Sequence, residues 1–347
     1  MAVCPICGSV DCIKPADEVI EQSLSMYAPC NECVSEPPVD KFKPLVELCE
    51  SIDRDYGRCT DCRKRHLDTV MAHVLEILIK GGHKSAGSSL KDVGTPLVEY
   101  GFTLIEPPRL PAKSVVMVID NIDGRIARKI LGEVPEIKGV LNRRSDPRIS
   151  VGITDVGTKP CTYELLAGCD MRADIVNTLV GDLCLYRNQS ECHIEFRRNN
   201  SVKIKTMEKL YLDGMMDGSV VVDGMASVGT LGFISAMAGA RKVILNDAWL
   251  PAIKNLLINL EVNREALGVE VDYLADLSRL PAIGDDPVLA ARASGNTDIE
   301  VYHGDFRKLE KVVPTCDLCI IDTFPGVSPE VFVKKWQEIT TKKVITL

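Results

Sequence analysis

The chain has 347 residues, 46% of them hydrophobic and 26% charged, and a net charge of −8. This is the balance of an ordinary globular protein of two or three domains; it excludes a low-complexity disordered chain and argues against a generic polyanion binder, though not against a local basic face. No apolar run approaches the roughly 18 residues that cross a bilayer, and Met1 to Pro5 show no basic start followed by an apolar stretch, so the expectation is a cytoplasmic protein with no membrane partner.

Fourteen cysteines are many for such a chain, and eight of them fall in the first 62 residues. Nothing directs export, so metal ligation is the better reading of that concentration than disulfides. Three pairs share a two-residue gap: Cys4/Cys7, Cys30/Cys33 and Cys59/Cys62. A C-x-x-C turn aims two thiolates at one tetrahedral ion, and two such turns complete a site. Gly8 suits the tight turn after Cys7. The expectation is structural Zn2+, one ion or two, held by these six cysteines, with Cys12, Cys49, His66 and His73 nearby. Spare thiols and an iron–sulfur cluster are the competing readings. His66 and His73 read equally as exposed or capping histidines, and Arg63-Lys64-Arg65 as a solvated charge run or a contact to RNA phosphate. The remaining six cysteines are scattered, and most read as small buried hydrophobes.

This cysteine-rich segment, residues 1–84, ends in a stretch from His66 to Leu78 with apolar positions at helical spacing, stopped by Gly81-Gly82. A proline-rich joint from Glu106 to Pro111 leads into a second part, 112–212. It opens with a strand-like run from Ser114 to Ile119, followed by a helix near Arg125 to Leu131. Further β-like runs at Gly181–Tyr186 and His193–Phe196 make it a small α+β domain.

The third part, 213–347, alternates strands and helices. Strands are expected at Ser219–Asp223, Lys242–Leu245, Ile299–Tyr302, Leu318–Ile321 and Lys343–Leu347, with helices near Leu231–Ala238 and Pro251–Asn263. Short apolar strands alternating with helices imply a doubly wound α/β sheet with parallel, Rossmann-like strands. The polar stretch from about Asp276 to Asp298 reads as an insertion between strands, a lid or a loop.

Ligands of such sheets bind beyond the carboxyl ends of the strands. There the first turn, Asp223-Gly224-Met225-Ala226-Ser227-Val228-Gly229, offers small residues for close backbone approach. It lacks G-x-G-x-x-G, which lowers the dinucleotide reading. Asn246-Asp247 ends the second strand, where a carboxylate can accept from both ribose hydroxyls. Asp305-Phe306 follow the third and Asp322-Thr323-Phe324 the fourth. Aspartates after strands are common singly; four successive strand ends each carrying one point to a site.

These residues carry a resemblance to class I S-adenosylmethionine-dependent methyltransferases. Asp223 to Leu231 resembles the D-x-F-A-G-V-G-x-F turn of archaeal tRNA guanine-N1 methyltransferases and their wybutosine-pathway relatives. Val243 to Ala252, with Asn259 and Asn263, is similar to the N-D-x-x-P-x-A…N…N segment of tRNA N2-guanine methyltransferases, and Asp322-Thr323-Phe324 to their D-P-F motif. The resemblance spans about 219–330. Upstream, Val134–Val140 and Glu164–Gly168 are similar to the small domain that precedes the catalytic domain in the guanine-N1 enzymes.

The resemblance implies S-adenosyl-L-methionine as cofactor. Asp223, Gly224, Met225, Ala226, Ser227 and Gly229 would hold its methionine part. Asp247, beside Asn246, would take the ribose, and Asp305 with Phe306 the adenine; Asp322 and Phe324 would position the acceptor. Three features depart from the family. Ser227 stands for the usual middle glycine, proline does not follow Asp322, and the chain stops at the fifth strand without the usual terminal hairpin.

Three functions remain open. A methyltransferase acting on a tRNA base nitrogen is supported by the resemblance and by Arg143, Arg144, Arg148, Arg197, Arg198, Lys203 and Lys205. A methyltransferase for a small cofactor precursor or a protein side chain fits the acidic whole and the scarcity of aromatics better. A non-catalytic fold serving as a zinc-dependent assembly factor would explain the altered fourth motif.

Overall fold

The computed structural model describes residues 3–34, 39–48, 51–100, 107–193 and 197–347. Cys49, residues 194–196 of the strand expected from His193, and the side chains of Arg197 and Arg198 lie outside that description.

The N-terminal part runs from a helix, α1 (Ala16–Met26), to a short strand, β1 (Arg65–His66), and a buried helix, α2 (Leu67–Lys80). The stretch expected to be amphipathic is buried throughout from Asp68 to Leu78. Its reason is the neighbours: α2 packs in one apolar cluster with Val115, Met117, Ile119, Ile126 and Ile130. Of the polar groups at and near its start, Thr69 Oγ1 has no hydrogen-bond partner among the described residues, but others do. His66 caps the helix by accepting from the Asp68 N–H at 3.2 Å, and Glu76 accepts from the Ile52 N–H at 2.9 Å. His73 lies against the Arg65 guanidinium, and burial first and that cation second push its pKa down to about 4.

Next come β2 (Thr95–Val98), β3 (Arg109–Leu110), β4 (Val115–Asp120), α3 (Gly124–Glu133), β5 (Ile137–Arg143), β6 (Glu164–Gly168), β7 (Met171–Thr178), β8 (Gly181–Asn188) and α4 (Arg197–Leu212). Strand β3 pairs with β1, and a four-stranded sheet has the order β2-β4-β5-β6, in which β4 and β5 are parallel and joined by α3. Strands β7 and β8 form a separate antiparallel hairpin.

The charge run at Arg63-Lys64-Arg65 is only partly the solvated run expected. Arg65 is fully buried, and it grips Glu136 with two bonds of 3.0 and 2.7 Å, while Arg58 reaches the same carboxylate at 2.7 Å. A buried guanidinium with such a paired carboxylate ties the N-terminal part to the start of β5.

The remainder is β9 (Val220–Asp223), α5 (Thr230–Met237), β10 (Lys242–Asp247), α6 (Leu250–Val262), α7 (Arg264–Leu267), β11 (Val269–Tyr273), β12 (Val288–Gly295), β13 (Asp298–His303), β14 (Cys316–Ile321), α8 (Glu330–Gln337) and β15 (Thr340–Thr346). They build a seven-stranded sheet of order β11-β12-β13-β10-β9-β14-β15. The five strands β13-β10-β9-β14-β15 are parallel, as the alternating pattern implied. The order reverses between β9 and β14, which opens a crevice at the carboxyl ends of the central strands. One expectation is corrected here. The stretch 276–298 is not only a loop: β12 occupies 288–295 and lies antiparallel to both β11 and β13, widening the sheet. Among the described residues, no helix is long and apolar enough to cross a membrane.

Strand β8 joins these parts. Leu183 and Leu185 face the core of the seven-stranded sheet, whereas Cys184 and Tyr186 face a cluster with Cys4, Ile13, Val19 and Met171. Its free edge is covered by α6. Three asparagines on one face of that helix, at i, i+4 and i+8, stand in for a neighbouring strand. Asn263 accepts from Cys184 N at 2.9 Å and donates to Cys184 O at 2.7 Å. Asn259 does the same to Tyr186 at 2.6 and 2.9 Å, and Asn255 accepts from Asn188 N at 3.0 Å.

Replacing Asn259 by the similarly sized leucine strands the buried Tyr186 N–H and C=O. The expected loss of unfolding free energy is about 2–4 kcal/mol, read by urea denaturation; a loss below about 1 kcal/mol would show that the ladder is not a major tie.

Candidate functional site

At the carboxyl ends of the parallel strands lies a cleft of about 730 Å³. Gly224, Met225, Ser227, Asn246, Asp247, Asp305, Phe306, Asp322 and Phe324 all line it. Asp223 and Ala226 instead line a hollow of about 20 Å³ that shares Met225, Ser227, Lys203 and Asp322 with the cleft. Gly229 lines neither and starts α5 with a φ of 96°.

The turn after β9 is held from both sides. Gly224 N donates to Ile320 O, and Ala226 N donates to Asn246 O. A Cβ on Gly224 would stand 2.2 Å from the Phe306 ring, so only glycine lets that ring lie beneath the turn. Ser227 has a φ of 49°, in the left-handed region. This accounts for the glycine usual at that position, and Ser227 tolerates it at a small cost in strain.

Asp247 accepts from Ser227 N and from Trp249 N, both at 2.8 Å, one on each carboxylate oxygen. Burial raises its pKa, and these two N–H groups work against the rise. Each oxygen retains a lone pair for a further donor. Asp305 caps the turn that follows it and binds the Arg307 guanidinium, which also reaches Asp155 at 2.7 Å. Phe306 stacks on Trp336, with centroids 4.6 Å apart. Asp322 pairs with Lys203 at 2.6 Å, and Phe324 meets the His193 ring edge-on at 5.3 Å.

Of the buried side-chain oxygens that have no hydrogen-bond partner among the described residues, two lie at these strand ends: Asp223 Oδ1 and Asn246 Oδ1. The orientation of Asn246 is set by its own network, since its Nδ2 donates to the carbonyls of Gly224 and Gly304. Asp223 Oδ2 accepts from Gly232 N, leaving Oδ1 alone. Burial first, and the neighbouring Asp322 carboxylate second, push the Asp223 pKa up to about 8. Unpaired buried acceptors are costly, and such cost is commonly tolerated at binding sites. Their positions at the ends of adjacent strands fit a ligand that brings N–H or O–H donors.

The fold is a mixed α/β one with a Rossmann-like parallel sheet. No family model matches the sequence, and no curated protein does. Among solved structures, it is similar to Trm5b from Pyrococcus abyssi, with 16% identity, 66% of this chain and 56% of that one covered, and a TM-score of 0.39. Against the M. jannaschii tRNA m1G37 methyltransferase, identity is 18%, coverage 65% and 55%, and the TM-score 0.37. With P. horikoshii TYW2 in complex with MeSAdo the values are 17%, 79% and 76%, and 0.40. The chain thus spans little more than half the length of the first two.

Several lining residues were not anticipated as site residues. Ser150 to Val156, Cys192 and His193 come from the middle of the chain, while Arg148 and Lys203, which also line it, were read only as basic residues of a nucleic-acid face. Arg307 follows the capping Asp305 by two positions, the one local signal available. The basic residues read as a nucleic-acid face are largely neutralised: Arg143 pairs with Asp120, Arg144 with Glu164 and Arg148 with Asp146.

Eight of the fourteen cysteines form two groups of four. Cys30, Cys33, Cys59 and Cys62 gather as expected, while Cys4 and Cys7 gather with Cys12 and with Cys169. Neither His66 nor His73 belongs to either group. Cys169, expected among the buried hydrophobes, is the member that spacing could not reveal.

The Asp223 shift has a signed consequence. Below about pH 4 folded and unfolded chains both hold the proton; from there to about pH 8 only the folded one does, so stability falls as pH rises and the cost is complete above pH 8. Asp223→Asn keeps the acceptor and removes the ionisation. Its Tm should exceed that of the unchanged protein at about pH 9 and match it at about pH 4; an equal effect at both would contradict the buried, unpaired carboxylate.

Proposed function

We propose that the chain is an S-adenosylmethionine-dependent methyltransferase. The observation that carries this reading is the pair of partnerless buried oxygens, Asp223 Oδ1 and Asn246 Oδ1, at the ends of β9 and β10 beside a small-residue turn. The donor's ammonium and ribose hydroxyls are the kind of groups those oxygens lack. An acidic residue at the first strand end also suits an amine-bearing ligand better than a pyrophosphate.

In this reading Asp223 and the turn 224–229 hold the methionine part, with Ala226 and Gly229 shaping the backbone. Asp247 takes the ribose, and Asp305 and Phe306 lie on the adenine side. The cofactor supplies a methyl group on a sulfonium, transferred in line to the acceptor. The chain's contribution is then positioning and exclusion of water. Asp322, held by Lys203, and Phe324, backed by His193, line the cleft where the acceptor would enter. A carboxylate there can accept a hydrogen bond or a proton from an acceptor nitrogen.

The acceptor we propose is a tRNA base nitrogen, on the strength of the motif resemblance at Asn246–Ala252 and Asp322–Phe324. A small cofactor precursor or a protein side chain is the second reading, favoured by the neutralised arginines at 143, 144 and 148. The division at 1–84, 112–212 and 213–347 and a structural role for zinc belong to the same proposal.

Calorimetric titration with S-adenosylmethionine tests the site. Asp247→Ala should abolish donor binding, and Asp322→Ala should keep it while slowing turnover at least tenfold, about 1.4 kcal/mol of barrier. Unchanged affinity in the first variant would remove the site assignment. Binding of bulk tRNA that weakens steeply with salt supports the first acceptor; donor binding with no tRNA affinity moves the assignment to the second.

A further inference from the structure

We propose that Cys4, Cys7, Cys12 and Cys169 hold a structural zinc ion of their own, separate from one held by Cys30, Cys33, Cys59 and Cys62, and that it clasps the N-terminal segment onto the turn between β6 and β7. The two groups each present four sulfurs within 4.8 Å of one another. A tetrahedral zinc with bonds of about 2.3 Å places its sulfurs about 3.8 Å apart along each edge. The measured separations agree: Cys4 and Cys12 each lie 3.8 Å from Cys169. In the other group Cys30–Cys33, Cys30–Cys59 and Cys33–Cys62 are 3.7, 3.5 and 3.5 Å apart. These are too long for disulfides, whose sulfurs are about 2.05 Å apart.

The backbone of the two groups repeats as well. After Cys4, Gly8 N donates to Cys4 O and Cys4 N to Ser9 O. After Cys59, Arg63 N donates to Cys59 O and Cys59 N to Lys64 O. The fifth residue of each turn has a left-handed φ, 71° at Gly8 and 61° at Arg63. A non-glycine residue holding that conformation shows that the second turn is set by its surroundings. The same fold of chain around Cys4–Ser9 and Cys59–Lys64 is what turns both cysteines of a pair toward one ion.

Cys169 makes the first group different in kind, because it comes from 165 positions away. Its N–H donates to Lys138 O at 2.9 Å, so the sulfur is fixed by strand β5. The neighbouring Lys138 ammonium pairs with Glu99 at 2.9 Å. The next residue, Asp170, accepts from Ser190 N at 2.7 Å, and the segment after Ser190 supplies Cys192 and His193 to the cleft. The clasp therefore closes a long loop, where a cross-link removes the most chain entropy.

Elemental analysis of the purified full-length chain should give two zinc ions per molecule. Cys169→Ser should lose one, Cys62→Ser the other, and the double variant both. With cobalt in place of zinc, thiolate-to-metal charge-transfer absorption should fall about twofold in Cys169→Ser, as expected when one of two tetrathiolate sites is lost. Cys7→Ser repeats the test at an exposed position outside the apolar core, so it decides the matter if Cys169→Ser does not fold. One zinc per chain in the unchanged protein, two retained in Cys7→Ser, or iron with cluster absorption would each overturn the proposal.

Discussion

Strand β8 is the constraint on which the remaining arrangement depends. Its alternate side chains serve two cores, Leu183 and Leu185 on one face and Cys184 and Tyr186 on the other. A slip of one residue would exchange those sets, so register is critical. The register is held by β7 along one edge and by the asparagines of α6 along the other. Because α6 begins just after Asp247, the helix that pins the hairpin is the one whose start shapes the cleft. Of the loops that wall the cleft, the one carrying Cys192 and His193 follows β8 directly.

The carboxylates at the strand ends illustrate how such a fold gives up stability for binding. Asp247, half-buried, is satisfied by two backbone N–H groups, and Asp305 by a cap and a guanidinium. Asp322 is balanced by Lys203. Asp223 alone keeps an oxygen with no donor, and Asn246 beside it does the same. A core selected only for stability would place apolar groups there. Among the described residues other buried oxygens also lack a partner, at Thr69, Asp170, Gln189 and Glu310, but only these two lie at adjacent carboxyl ends of the parallel strands.

Much of the C-terminal half was legible because parallel strands buried on both faces show as unbroken apolar runs. Val220–Asp223, Lys242–Asp247 and Cys316–Ile321 all lie where such runs were read. Asn259 and Asn263 of α6 were noticed as part of a motif and Asn255 was not; the task of all three was missed, since their partners lie some 70 positions upstream. Strand β11 carried a signal, the alternation Val269-Glu270-Val271-Asp272-Tyr273, whereas β12, rich in Ala, Ser and Gly, has weak strand propensity and is set by its neighbours. Helix α4 begins with a polar run that hid the spacing of Ile204, Met207 and Leu210. Arg65 and Cys169 were misread for one reason: each acts through a contact more than 70 positions away, which no local pattern encodes.

A crystal structure with S-adenosylhomocysteine bound tests the central claim most directly. The account predicts that Asp223 Oδ1 and Asn246 Oδ1 each accept a hydrogen bond from the ligand or from a water the ligand holds, with Asp247 at the ribose. A ligand seated elsewhere in the cleft, with both oxygens still unpartnered, would contradict it.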